Sequence, residues 1–238
     1  MQRPDLTRRA VAEALGTALL LATVVGSGIM AEGLAGGNVA VALLANAIAT
    51  GAALVALILT LGPISGAHFN PVVTVADASQ GGLPWRDVPP YVLAQVAGAF
   101  AGVAAAHAMF NLPVFFVSAH VRTGLSQWFS EFVATFGLLA VIWGCSRQRS
   151  EAAPFAVGAY ITAAYWFTAS TSFANPAVTV ARAATDTFAG IRPIDTLGFV
   201  VAQIAGAAAA TGFFRWLVPS LPQRASDVVV PREEARTA

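Results

Sequence analysis

The chain contains no lysine, so its 13 basic residues are all arginine, and only 11% of its 238 residues carry charge. A formal net charge of +1 gives no basic field with which to hold a nucleic acid. Cysteine occurs once, at Cys145, which excludes an intrachain disulfide and leaves a structural thiol. The three histidines, His68, His107 and His120, are scattered without the spacing of a metal site, and no serine and histidine stand in a recognised catalytic setting. No catalytic residue, metal ligand or cofactor is therefore expected. What the chain has in quantity is apolar side chains, 57% of the total. That balance belongs to a membrane protein.

Apolar runs fall near residues 8–29, 38–61, 88–109, 126–145, 153–171 and 195–217. A helix of roughly 20 residues crosses the hydrocarbon core, so six transmembrane helices are expected. The first run is too long for the apolar part of a cleaved signal and is read as a span. After the second and fifth runs comes a near-duplicate string. Asn70-Pro-Val-Val-Thr-Val-Ala-Asp-Ala78 and Asn175-Pro-Ala-Val-Thr-Val-Ala-Arg-Ala183 match at seven of nine places, 105 positions apart. Each places Asn at a helix N-cap and Pro at the first helical position, where its missing N–H costs nothing. About three turns remain before the next polar break, too short to cross at roughly 1.5 Å per residue. Both strings read as re-entrant half-helices.

The duplication runs further. Ala12-Glu13-Ala-Leu-Gly-Thr17 recurs as Ser130-Glu131-Phe-Val-Ala-Thr135, and Val92-Leu-Ala-Gln95-Val-Ala-Gly98-Ala recurs as Val200-Val-Ala-Gln203-Ile-Ala-Gly206-Ala. The chain is a repeated three-helix unit. Three is odd, so the second copy enters from the opposite side and the repeats are inverted about an axis in the membrane plane. Repeat one covers about 8–110 and repeat two about 126–217, together one channel-sized domain at 8–217. Residues 1–7 form a cytoplasmic N-terminus and 218–238 a mobile cytoplasmic tail, rich in proline and charge. With both termini inside, ten arginines face the cytoplasm and only Arg122, Arg182 and Arg192 face out, in keeping with the positive-inside rule.

Inverted half-helices meet head to head at mid-membrane. Each N-terminus carries roughly half a positive charge and unpaired N–H groups, and Asn70 and Asn175 add amide donors. A neutral, oxygen-rich solute is welcomed there and a cation repelled. Irregular backbone survives at that depth by lining a wet cavity, so the carbonyls of Gly66, Ala67, His68 and Phe69, and of Ser172, Phe173 and Ala174, are expected along one wall. One Asn-Pro pair is an ordinary helix start; two symmetric copies between apolar spans are a pore. Small residues at Gly98 and Gly102, and at Gly206 and Ala210, mark close helix approaches, within the monomer or between subunits.

With six spans, the opposed motifs Asn70-Pro71-Val72 and Asn175-Pro176-Ala177, and the lead-in Ser65-Gly-Ala-His-Phe-Asn70, the chain resembles the major intrinsic protein family, the aquaporins and aquaglyceroporins. The resemblance covers about residues 8–217 and departs at Val72, where the family usually has Ala. It implies an all-α membrane protein, six transmembrane helices plus two half-helices, with one pore per monomer in a homotetramer. It implies a multi-pass protein of the inner (cytoplasmic) membrane, with lipid and small uncharged solutes as its partners. Glu13 and Glu131, which alone would suggest a proton relay, resemble the family's buried glutamates that accept hydrogen bonds from the half-helix loops. Gln95 and Gln203 brace the same loops, and His68 is structural or pore-lining.

The family's outer filter usually includes an Arg three positions after the second Asn; here that position is Val178. The family's other offsets give Thr50, Ala163 and Ser172. Four small side chains imply a wide mouth without a guanidinium, with Arg182, one turn on, as a possible substitute. Glycerol, urea, neutral trivalent metalloid hydroxides and methylated arsenicals are then expected to pass with water, and the replacement of Arg by Val resembles the bacterial aquaglyceroporins associated with arsenic handling. A water-selective pore is the alternative. A secondary transporter would need Glu13 or Glu131 facing the solute and would accumulate it against a gradient.

Overall fold

The computed structural model describes residues 4–148 and 150–218. The expected tail lies, apart from Val218, outside the described residues. Helix α1 (Leu6–Leu34) opens at Asp5, whose carboxylate accepts from the Arg8 N–H at 2.8 Å. Helix α2 (Val39–Ser65) opens at Asn38 and closes on Gly66, where a φ of 93° suits a residue without a Cβ. The rest of the first half is α3 (Pro71–Ser79) and α4 (Val88–Met109). The second half repeats the order with α5 (Leu125–Gln148), α6 (Ala153–Phe167), α7 (Pro176–Ala181) and α8 (Thr196–Leu217). Among the described residues there is no strand.

Two lengths differ from expectation. Among the described residues five segments are long and apolar enough to cross a membrane: 6–34, 39–65, 85–109, 125–145 and 193–217. The expected fifth span, at 153–171, is helical for only 15 residues and stops at Phe167. At about 1.5 Å per residue it rises some 22 Å. It ends where the run Thr168-Ala-Ser-Thr-Ser172 turns away, with the Thr168 hydroxyl donating back to the Ala164 carbonyl at 2.7 Å. The half-helices are also shorter than three turns. α3 has 9 residues, and α7 has 6 before tightening into a 3₁₀ turn at Arg182–Ala184.

Helix α1 packs on α2 and α4, α5 packs on α6 and α8, and α2 crosses α6 between the halves. Glycines fix these approaches. A Cβ on Gly98 or Gly102 of α4 would run into the carbonyl oxygens of Ala14 or Ala18 on α1, and one on Gly206 of α8 would meet the Phe132 carbonyl on α5. These small-residue positions therefore serve packing inside the monomer. Leu21, Val25, Val103, Leu139 and Trp143 are wholly enclosed, while Val11, Leu19, Leu93, Ile204 and Trp216 stand exposed on the outside. An apolar exterior around a core that holds Glu13, Gln95, Glu131 and Gln203 is polarity arranged for lipid.

Candidate functional site: a pore between two half-helices

Both half-helices begin as their sequences predict. The Asn70 side chain accepts from the Val72 N–H at 3.1 Å, and that of Asn175 accepts from the N–H groups of Ala177 and Val178 at 3.0 and 3.3 Å. The two caps are also tied to each other. Asn70 Nδ2 donates to the Ala174 carbonyl at 2.8 Å, and Asn175 Nδ2 donates to the Phe69 carbonyl at 2.7 Å. A primary amide has two donors, so each Asn keeps a second N–H for the space between the helices.

The lead-ins are held in a conformation that L-residues avoid. Gly66, Ala67 and Phe69 have φ of 93°, 49° and 50°, and Thr171, Ser172 and Ala174, 105 positions on, have 61°, 51° and 50°. Left-handed non-glycine residues are strained and persist only where their surroundings determine them. Here the determinants are buried glutamates. Glu13 accepts from Ser65 Oγ at 2.6 Å and from the His68 and Phe69 N–H groups at 3.0 and 2.7 Å. Glu131 accepts from the Phe173 and Ala174 N–H groups, each at 2.8 Å. Gln95 bridges Glu13 to Thr74 Oγ1 at 2.8 Å on both sides, and Gln203 bridges Glu131 to Thr179 Oγ1 at 2.6 and 2.8 Å. Thr74 and Thr179 complete the braces. Their equal places in the repeated string are the signal by which the sequence alone could have singled them out.

A cavity of about 70 Å³ runs along the half-helix junction. Its polar lining comes from Thr50, His68, Asn70, Tyr165, Ser172, Asn175 and Arg182, and its apolar walls include Leu54, Ile58, Val157, Ile161 and Val178. Ala67, Phe69, Phe173 and Ala174 supply backbone to the same wall, whereas Gly66 lies outside the lining. Neither Glu13 nor Glu131 reaches it. Pro71, Val72, Pro176 and Ala177 sit behind the caps as helix starts rather than as cavity wall.

The mouth differs from the four expected residues. Thr50, Ser172 and Val178 line the cavity, but Ala163 is exposed on the outer face of α6. Residues two apart on a helix point roughly 200° apart, and Tyr165 faces inward instead, its hydroxyl 3.2 Å from Thr50 Oγ1. The expected absence of a guanidinium also gives way, because Arg182 is buried and lines the same cavity as Val178. Its Cζ stands 3.4 Å from the centre of the Phe173 ring, and its Nε donates to the Ala189 carbonyl.

Charged groups are distributed unequally between the halves. His68, the counterpart of Phe173, holds Thr74 Oγ1 through Nδ1 at 3.1 Å and lies 3.4 Å from Asp77 through Nε2. In the loop that precedes α5, Arg122 donates to the Gly190 carbonyl at 2.8 Å. Burial pushes its guanidinium down to about 10, against the opposing pull of Glu131, so it is charged at neutral pH. Partial burial, with the charges of Arg122 and Arg182, lowers His120 below its ordinary value. His107 lies off the pore, joining Val114 O and Thr185 Oγ1 at 2.8 and 2.7 Å.

Residues 1–172 match the model of the family described as major intrinsic protein. This chain belongs to that family. Its members form membrane channels and are not enzymes. The chain is 60% identical over 223 residues to the aquaglyceroporin AqpS of Rhizobium meliloti (strain 1021), covering 93% of this chain and 95% of that protein. It is 41% identical over 143 residues to aquaporin NIP1-3 of Oryza sativa subsp. japonica, covering 57% of this chain and 50% of that one. In fold it is similar to the X-ray structure of the aquaglyceroporin from Plasmodium falciparum, with a TM-score of 0.73 at 21% identity over 92% of this chain and all of that one. As a multi-pass channel of the major intrinsic protein family, it has small solutes and lipid for partners.

Proposed function

We propose that this chain is a passive channel for small uncharged solutes, conducting water, glycerol-like polyols, neutral trivalent metalloid hydroxides and methylated arsenicals while excluding protons and ions. In this reading it acts as a homotetramer of the cytoplasmic membrane, with one pore per monomer and both termini inside. The observation that carries it is the pair of opposed N-caps, Asn70 and Asn175, on the lining of one cavity. Half-helix N-termini are barriers to protons and cations in aquaporin-type pores, and here two such ends abut. Their partial positive charge and spare amide donors suit a solute that presents oxygen, and make a poor site for a cation. The name of the AqpS relative, an aquaglyceroporin, supports solutes larger than water.

Purified protein in liposomes, with stopped-flow light scattering for water, glycerol, urea and trivalent arsenic and a pH-sensitive dye for protons, tests the reading. The expected result is solute-driven swelling well above empty liposomes with no proton leak. Proton conductance like that of a proton channel would overturn ion exclusion. Passage of water alone would favour the water-selective alternative, for which the presence of Arg182 in the lining is the supporting observation.

A further inference from the structure

The cavity lining contains a guanidinium, Arg182, that makes no ion-pair contact with a carboxylate among the described residues. Among the described residues neither Arg182 nor Arg122 forms an ion pair, although Arg182 is buried and Arg122 half-buried beside the same ring, their Cζ atoms 3.4 and 5.2 Å from the centre of Phe173. Backbone carbonyls hold them instead. Arg182 donates to Ala189, and Arg122 donates to Gly190 at 2.8 Å and to Ser170 and Phe188 at 3.4 Å each. Charge left unpaired at low dielectric is costly unless something answers it.

Arg182 spends only its Nε on the protein. Among the described residues its two Nη groups donate to no atom, and they belong to a side chain 2% exposed that lines the cavity. A second unused group lies on the same lining: Ser172 Oγ is buried and, among the described residues, has no hydrogen-bond partner. The lining also holds the hydroxyls of Thr50 and Tyr165, 3.2 Å apart, each with further capacity to donate or accept. It thus combines guanidinium donors with three hydroxyls, and Val178 belongs to it.

The geometry points to Arg182 as the selectivity-determining guanidinium of this channel, working with Ser172, Tyr165 and Thr50 to bind hydroxyl oxygens of small neutral solutes. This rests on the channel reading above and adds its filter. A hydroxylated solute accepts from the Arg182 Nη groups and donates to Ser172, Thr50 or Tyr165, so it can replace its lost water at each point. A cation meets donors and a positive charge without an ion-pair partner, and is turned back before it reaches the half-helix barrier. The Phe173 face carries the quadrupole that steadies the guanidinium, and the Ala189 carbonyl fixes its direction. One turn of helix separates Val178 from Arg182, so the charge enters the mouth from the end of α7 rather than from its first turn.

Arg182→Ala, Arg182→Gln and Tyr165→Ala in liposomes test this, each compared with wild type for water, glycerol, urea and ammonium flux. Arg182→Ala should widen the mouth and raise the glycerol-to-water permeability ratio severalfold, because the lost bulk hindered the larger solute more than water, with an ammonium leak appearing. Arg182→Gln removes the charge and both Nη groups but keeps an amide donor at the place of Nε, so it should leak cations and raise the glycerol ratio less than Arg182→Ala does. Tyr165→Ala removes a ring and hydroxyl from the same lining and should raise the glycerol ratio with cation exclusion kept. A conducting wild type whose Arg182 variants retain both its ratio and its cation exclusion overturns the assignment. If the Arg182 variants do not fold, an unchanged ratio in Tyr165→Ala overturns it as well. A wild type that conducts nothing above empty liposomes fails the channel reading, a separate outcome from failure of the filter.

Discussion

At the scale of single residues, the burial of Glu13 and Glu131 decides between two chemistries. A carboxylate inside a membrane protein suggests proton movement, yet both side chains are fully enclosed, lie off the cavity lining and accept from loop N–H groups. Replacing Glu13 by Ala strands Ser65 Oγ, the N–H groups of His68 and Phe69, and Gln95 Nε2 without their acceptor, at a cost of about 1 to 3 kcal/mol for each group left unsatisfied. The expected outcome is a lower melting temperature in detergent and a lower yield, with flux per folded molecule changed much less. A Glu13→Gln protein that melts like wild type but conducts nothing would restore the relay. These braces were legible because Glu and Gln recur at equal places in the two halves. Tyr165 was not legible from the family offset, which points two residues away to Ala163 on the exposed face of α6, whereas Tyr165 shares the buried face with Val157, Ile161 and Ala164.

At the scale of elements, the half-helix starts were written in the sequence and their ends were not. Asn followed by Pro caps a helix by local chemistry alone. The end of α7 depends on distant chain: Phe116 and Ser118 donate their N–H groups to the carbonyls of Ala184 and Ala183 at 3.1 and 3.0 Å. No periodicity in residues 176–184 could announce those partners. The start is also where a charge should matter most. Asn70→Asp puts a carboxylate at the N-terminus of α3, where it is favourable to the helix dipole and hostile to the barrier. The cap to the Val72 N–H is kept and the bond to the Ala174 carbonyl is lost, so the protein should fold with a lower melting temperature while cation leak rises, measured as dye-reported proton or ammonium flux in liposomes; a leak equal to wild type would mean the barrier lies elsewhere. Close packing makes a different demand. Gly98→Leu should block the approach of α4 to Ala14 and abolish folded yield in detergent, whereas the same change at Gly212, where a Cβ meets nothing, should be tolerated.

At the scale of the whole molecule, the duplicated halves share a scaffold and differ in what they present to the solute. Glutamate, glutamine, threonine, Asn cap and left-handed lead-in recur in both. The symmetry breaks one step further out. His68 beside Asp77 in the first half corresponds to Phe173 beside Arg182 in the second, an acid with imidazole against a cation on a ring. Duplication made the fold readable, and its breakdown hid the mouth, since no repeat pattern shows that Arg182 points inward. A coupled transporter would need a titrating carboxylate on the solute path and an element with two packings. Here Glu13 and Glu131 are sealed behind the loops they hold, and rigid glycine contacts join α1 to α4 and α5 to α8. Solute should therefore move only downhill. Liposomes loaded by glycerol or trivalent arsenic uptake should stop at the outside concentration, with an initial rate that a protonophore leaves unchanged. Accumulation above that concentration under an imposed proton gradient, abolished by the protonophore, would refute passive conduction. It would also mean that one of the sealed carboxylates opens to the pore, and Glu13→Gln and Glu131→Gln would then identify which.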